Sequence, residues 1–262
     1  MKKPHPSNWL KVVGTGIRLG QMTTESQRAV EGADRVFAVV TDEPALSMLQ
    51  ALHRDVVDLT ALYALGKERL DTYREMVDQV VGALGEGHNV CFALYGHPAV
   101  FAYPSRAAVK RAREEGFEAS ILPGISAEDC IFADLEFDPA EYGCQSYSAT
   151  SLLMERRQWD PEAVLVLWQL GIIGESRAAA TGNRSQREAL VARLKEVYGP
   201  AHPAIVYEAA TLPFCAPDVR RLELSQLSTG NLRPMCTVVI PPRSAPNAIP
   251  VANWVQTAVW IS

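Results

Sequence analysis

The segment Leu94-Tyr95-Gly96-His97-Pro98-Ala99-Val100-Phe101 constrains the fold of this chain more than any other. It follows an apolar run, Asn89-Val90-Cys91-Phe92-Ala93, that predicts a buried strand. Gly96 and Pro98 stop that strand, and a helical pattern resumes near Ala102. A strand that breaks on a glycine–proline loop and re-enters a helix is the junction at which α/β proteins place ligands. Taken alone, the segment is equally consistent with a plain turn.

The rest of the chain repeats the alternation. Strands are predicted at 9–13, 35–40, 55–59, 89–95 and 117–122, then at 164–169, 203–208 and 235–240. Helices are predicted between them. Thr24-Glu25-Ser26-Gln27 has the spacing of a capping box. Asp42-Glu43-Pro44 opens a short helix through Leu52, and Ser126 caps another after Pro123-Gly124. A long helix over about 67–84 carries Leu70, Tyr73, Met76, Val77, Val80, Val81 and Leu84 at the helical period. Further helices are expected over 102–115 and 185–197. Alternating strands and helices imply an α/β fold. The first half is expected to be parallel and the second half mixed, with domains over 1–122 and 123–242 and a tail over 243–262.

Composition excludes several classes. The formal net charge is -5 with a pI near 5.6, and no basic stripe marks a nucleic-acid binder. The longest basic cluster, Lys110-Arg111-Ala112-Arg113, runs straight into Glu114-Glu115 and is expected to be a solvated helix face. No apolar segment is long enough for a membrane span, and none follows the basic Met1-Lys2-Lys3 as a signal peptide requires. The five cysteines are scattered, with Cys91 and Cys236 inside apolar runs, which fits a reducing cytoplasm. His88 precedes Cys91 by three residues, but no second pair completes a metal site.

Gly14-Thr15-Gly16 ends the first strand as in a dinucleotide fingerprint, yet Leu19 occupies the place of its third glycine. No acidic residue ends the second strand, which closes on Val39-Val40-Thr41. A nicotinamide site is therefore not expected. Val13-Gly14-Thr15-Gly16, then Tyr95-Gly96-His97-Pro98-Ala99-Val100-Phe101, then Leu122-Pro123-Gly124-Ile125-Ser126-Ala127-Glu128, then Thr237-Val238-Val239-Ile240-Pro241-Pro242 occur in that order. Together they resemble the tetrapyrrole methylase superfamily. Within it, the chain is most similar to the borosin peptide α-N-methyltransferases. The pieces that carry this are Leu62-Tyr63, Arg69-Leu70-Asp71-Thr72-Tyr73, Ser126-Ala127-Glu128-Asp129-Cys130, Phe132 through Pro139, and Leu167-Trp168-Gln169. Many tetrapyrrole enzymes have an Asp before the loop proline, where this chain has His97.

The resemblance implies two α/β domains with S-adenosylmethionine in the cleft between them, and a homodimer. It implies a cofactor site drawn from Gly14, Tyr95, Gly96, His97, Val100, Phe101, Ser126, Ala127, Gln169, Tyr207 and Thr237, with no metal. His97 is expected to orient the loop rather than act as a base. Tyr63, Arg69 and Tyr73 are implied as catalytic residues. Their chemistry suits an amide: Arg69 and Tyr73 are four apart at a helix start and share a face, with Tyr63 in the loop before. An amide nitrogen is a poor nucleophile because its lone pair is delocalised into the carbonyl. Methylating it needs its proton removed and the oxygen charge held, for which a guanidinium is suited. A tyrosine would serve as base if Arg69 lowered its pKa. The plain alternatives are a core-edge aromatic for Tyr73, a surface ion pair for Arg69, a helix cap for Ser126 and an interior amide for Gln169.

The expected substrate is a separate, ribosomally made precursor peptide. Well-known relatives carry theirs on a long C-terminal extension, whereas here twenty residues, 243–262, follow Pro242. Their end, Ala258-Val259-Trp260-Ile261, has a substrate-like composition. The tail would have to leave its own domain to reach a cleft, which favours action in trans. A tetrapyrrole C-methyltransferase and a catalytically silent, cofactor- or peptide-binding paralogue are the competing expectations.

Overall fold

The computed structural model describes residues 8–40, 42–178 and 182–249. The apolar end of the tail, 258–261, lies outside them. The chain divides into two compact units. One comprises 1–130 with 176–178 and 211–213; the other comprises 131–175, 179–210 and 214–262. The division falls inside a helix, not at the expected residue 122. The two short returns to the first unit have no mark in the sequence, because they are held by backbone bonds that any side chain can make. Arg69 N–H donates to Ser176 O, and Gly66 N–H to Ala178 O.

The first unit is a parallel sheet of β1 (Trp9–Gly14), β2 (Arg35–Val39), β3 (Val56–Asp58), β4 (Val90–Leu94) and β5 (Glu118–Ile121), in the order β3-β2-β4-β1-β5. The strands are apolar on both sides because both faces are covered. One core joins Val13, Val36, Ala38, Cys91 and Ala93 to α1 (Thr24–Glu31) and α2 (Glu43–Leu52). The other joins Val12, Phe37 and Phe92 to α3 (Arg69–Gly85) and α4 (Tyr103–Glu114). The cap of α1 is Thr23, whose side chain accepts from Ser26 N–H, one residue ahead of the expected box.

β1 and β4 are neighbours, yet the helices that follow them, α1 and α4, pack on opposite faces. The C-terminal ends of this pair are thus the sheet's topological switch point, where open α/β sheets leave a crevice.

The second unit holds β6 (Cys144–Ser148), β7 (Val164–Trp168), β8 (Pro203–Glu208), β9 (Asp218–Glu223) and β10 (Thr237–Ile240), in the order β6-β7-β10-β8-β9. Only β6 and β7 pair in parallel. Helix α5 (Ala127–Asp134) leads into it, followed by the short α6 (Pro139–Tyr142) and α7 (Ala149–Met154). Its core sets Leu165, Leu167, Val206 and Val238 against α8 (Arg184–Tyr198). The first part of the tail is pinned to this unit. Arg243 pairs with Glu162 at 2.8 Å, Arg221 donates to Ile249 O at 2.6 Å, and Ile249 is fully buried. Among the described residues no helix is long and apolar enough to cross a membrane.

The buried thiols make alkaline stability a readout of one core in each unit. Burial pushes Cys91 up to about 12 and Cys236 up to about 11. Folded, these thiols keep their protons; unfolded, they ionise above about pH 8.5. Their contribution is therefore complete below about that pH and is lost as pH rises toward 11–12, at up to about 1.4 kcal/mol per pH unit for each group. Guanidinium denaturation should show a flat midpoint from about pH 7 to 8 and a steep fall by about pH 11. The fall should be shallower in Cys91→Ala. Equal slopes in the two proteins would remove Cys91 as a cause.

Candidate active site

The switch point is built from backbone. Thr15 N–H donates to Leu94 O, Tyr95 N–H to Val39 O, and Gly96 N–H to Gly16 O, so the loops after β1, β2 and β4 are stitched together. Gly14 is packed so closely that a Cβ there would lie 2.2 Å from Gly96 O and 2.9 Å from Pro98 Cδ. A Cβ at Gly124 would meet Gly14 Cα and Gly96 O, each at 3.2 Å. Gly96 itself has φ +70, in the region that glycine adopts at least cost.

The loop after β4 ends in strain. Phe101 holds φ +51, and it and Val100 are exposed. Four non-glycine residues among those described have positive φ: Phe101, Glu136, Arg156 and Gln169. Two of the four, Phe101 and Gln169, are residues the sequence marks for the cofactor. Left-handed backbone at such residues costs on the order of 1–3 kcal/mol and persists where the surroundings impose it, commonly at ligand sites. His97 Nδ1 accepts from Ala99 N–H at 3.0 Å, so His97 shapes the loop, and a neutral ring carries its proton on Nε2.

Ser126 is buried, and its N–H and hydroxyl both donate to Asp129 Oδ2, at 2.7 and 2.6 Å. Asp129 N–H donates back to Ser126 Oγ at 3.2 Å. Ser126 is therefore the helix cap of the plain alternative, and it fixes where the half-buried Ala127 begins α5. In the second unit, the register sets Thr237 between Trp168 on β7 and Tyr207 on β8, and Gln169 follows Trp168 at φ +60. The three expected residues there occupy one end of one sheet. Thr237 and Tyr207 are buried, and Tyr207 donates its hydroxyl to Asp134 at 2.6 Å.

Tyr63, Arg69 and Tyr73 come together in the first unit. Tyr63 ends a 3-10 turn over Leu59–Leu62, and Arg69 is the first residue of α3. Lys67 Nζ donates to Leu62 O at 2.9 Å and pairs with Glu75 at 2.7 Å, tying the Tyr63 loop to α3. The Tyr63 and Tyr73 rings meet edge-on, centroids 6.4 Å apart. At Tyr63 the expected lowering by Arg69 is present but outweighed. Burial pushes its phenol well above the usual range, and the charge and hydrogen bond of Tyr73 push the same way, while Arg69 opposes them less strongly. With the shift upward, the Tyr63 phenol keeps its proton at neutral pH and is a hydrogen-bond donor there.

Sequence reasoning missed Tyr103. It opens α4 and stacks on Tyr73, with centroids 5.9 Å apart and planes 27° apart. The only signal was an aromatic directly after the loop, which does not say what it touches. Among the described residues no group of three or more His, Cys, Asp or Glu is placed to hold a metal.

The family model for Tetrapyrrole (Corrin/Porphyrin) Methylases matches residues 10–227. A methyltransferase/ribosomally synthesized type III borosin cyclic peptide precursor from Anomoporia bombycina is 39% identical over 241 residues, 90% of this chain and 28% of that protein. The methyltransferase/ribosomally synthesized cyclic peptide omphalotin A precursor from Omphalotus olearius is 37% identical over 90% of this chain and 58% of its own length. The chain thus spans between about a quarter and three fifths of these relatives. Among solved structures, a uroporphyrin-III-C-methyltransferase from Thermus thermophilus superposes with TM-score 0.64 at 17% identity, covering 93% of this chain and 97% of that one. A conserved hypothetical protein from Aeropyrum pernix K1 gives TM-score 0.64 at 16% identity, covering 92% and 87%. At these identities the two structures establish a tetrapyrrole-methylase-like α/β fold and nothing finer.

Proposed function

The chain belongs to the tetrapyrrole (corrin/porphyrin) methylases, and on that premise we propose that it transfers methyl groups from S-adenosylmethionine to backbone amide nitrogens of a ribosomally made precursor peptide. The observation that carries this reading is the Tyr63–Arg69–Tyr73 group, two phenols and a guanidinium on one short stretch. The borosin-type relatives, at 37% and 39% identity, support the peptide as substrate.

When bound, S-adenosylmethionine supplies a methyl already activated by its sulfonium. The donor set fits such a group. In the first unit, Gly14 and Gly96 let the loops after β1 and β4 close on each other, and Val100 and Phe101 present an exposed apolar surface. In the second unit, Gln169, Tyr207 and Thr237 share one end of the sheet. Arg69 donates to the substrate carbonyl oxygen, where charge builds as the neighbouring N–H is lost, and Tyr63 turns the one proton it gives to Tyr73 toward the same oxygen when the peptide binds. Tyr73, bonded to Tyr63, completes the group. Arg69 and Tyr63 would hold the amide oxygen while the methyl carbon joins the amide nitrogen, the electron pair of the carbon–sulfur bond staying with the cofactor and the amide proton passing to solvent.

We assign the peptide to a separate molecule and the working form to a homodimer in the cytoplasm. The relatives' names join methyltransferase and precursor in one protein, so the trans assignment is the finer part of the proposal. It is supported by residues 243–249, which are tied to their own unit through Arg243, Arg221 and the buried Ile249. Five free cysteines are in keeping with a reducing compartment.

The deciding experiment incubates cofactor-stripped protein with S-adenosylmethionine, with and without a candidate precursor peptide, and maps both by tandem mass spectrometry. Methyl increments on backbone nitrogens of the added peptide are expected. Increments confined to 245–262 would replace the trans assignment with self-methylation. No calorimetric heat with S-adenosylmethionine and no methylation in either arm would sink the proposal.

A further inference from the structure

We propose that Tyr103 is a positioning residue for the reaction, holding Tyr73 in place and tying it to the loop after β4. This rests on the reading of Tyr63, Arg69 and Tyr73 as the group that acts on the amide.

Three observations carry it. Tyr73 is held by two rings of different geometry: Tyr63 meets it edge-on at 88°, and Tyr103 lies nearly parallel to it at 27°. Edge-on and offset-stacked contacts are the two arrangements that aromatic quadrupoles favour. With one ring on its face and another against it, Tyr73 keeps few rotamers, and the direction of its phenol is set. Tyr103 is 46% exposed, so burial alone does not account for an aromatic at this position.

The start of α4 is also locked to the loop before it. Pro104 follows Tyr103 and presets the first turn of the helix. The buried Ser105 donates its hydroxyl to Pro98 O and also to Ala102 O, the latter at 2.8 Å. The backbone of Tyr103 is thus pinned to the segment carrying His97, Val100 and the strained Phe101. The ring stacked on Tyr73 is therefore carried by a helix start whose place is set by that loop.

The lever is the ring, not the hydroxyl, and this makes the proposal testable. Steady-state methylation of a precursor peptide is measured for wild type, Tyr103→Ala and Tyr103→Phe, each checked for folding by circular dichroism. Tyr103→Ala should lower kcat roughly ten- to a hundredfold, the loss expected when a reacting group is misplaced by about an ångström. Its Kd for S-adenosylmethionine should stay close to that of wild type. Tyr103→Phe should restore most of the rate. Wild-type kcat in the alanine variant overturns the proposal, and so does a phenylalanine variant as slow as the alanine one. Should the alanine variant fail to fold, Tyr103→Asn takes its place under the same expectations.

A second readout separates this inference from the proposed function. With isotope-labelled tyrosine, the Tyr73 ring signals, assigned through Tyr73→Phe, should be sharp and dispersed in wild type and Tyr103→Phe, and averaged in Tyr103→Ala. If wild type methylates no peptide, the functional proposal fails while the ring signals still report the positioning contact. If the Tyr73 signals are the same in all three proteins, Tyr103 positions nothing.

Discussion

Replacing Arg69 with alanine is expected to lower methylation of a precursor peptide about 10²- to 10³-fold, the scale set by losing one donor to a developing oxyanion. The loss should fall on kcat, because the charge that Arg69 meets exists only as the amide proton leaves. Arg69→Lys should recover little: it keeps the charge but loses the planar fork that meets an oxygen with two donors. The backbone should tolerate both changes, since Arg69 is held in place by its own N–H on Ser176 O. Tyr63→Phe tests the partner donor. Its phenol keeps its proton well past neutrality, so the wild-type rate should not fall between about pH 7 and 9 through loss of that proton. Wild-type kcat in Arg69→Ala, measured at saturating peptide and cofactor, would reduce the residue to a surface cation.

The second large effect is expected at Gly14. An alanine there places its Cβ 2.2 Å from Gly96 O and 2.9 Å from Pro98 Cδ. The first of these is backbone, and it belongs to a loop already fixed by Gly96 N–H on Gly16 O. Overpacking of this kind costs about 1–3 kcal/mol, and in a chain of this size each kcal/mol lowers Tm by about 2–4 °C. Relief has to come from displacing the loop over 95–101, so the affinity for S-adenosylmethionine should fall with the stability. Gly82→Ala is the matched control. It lies inside α3 with nothing within 4 Å of a new Cβ, and should gain about 0.5–1 kcal/mol. Calorimetric titration and thermal melting of both variants decide it. If Gly14→Ala matched wild type in both measurements, the close packing of these loops would have no bearing on the site.

The two effects differ in how visible their causes were. Gly14, Gly96 and Pro98 stood out in the sequence as breaks after apolar runs, because a buried parallel strand must be continuously apolar and a loop that leaves it must turn sharply. Tyr63, Arg69 and Tyr73 stood out only through a family pattern, since a tyrosine four residues after an arginine is ordinary on any helix. The direction of the Tyr63 pKa was not legible at all. It depends on the partial desolvation of the phenol and on Tyr73, against which Arg69 weighs less.

Eight of the ten strands among the described residues were marked by their apolar runs. The two that were not, Cys144–Ser148 and Asp218–Glu223, are the two edges of the second sheet. An edge strand has one open side and is kept polar against aggregation, so it lacks the run that reveals a central one. What the sequence alone determined was therefore what local burial dictates: the central strands, the main helices, the α/β class, and the places where the chain breaks at a strand end. Tertiary structure alone decided the order of the strands and the switch point between β1 and β4. It also placed Ser176 and Ala178 against the start of α3, and stacked Tyr103 on Tyr73. Each of these is a meeting of segments far apart in the chain, fixed by packing and by backbone hydrogen bonds that carry no side-chain signature.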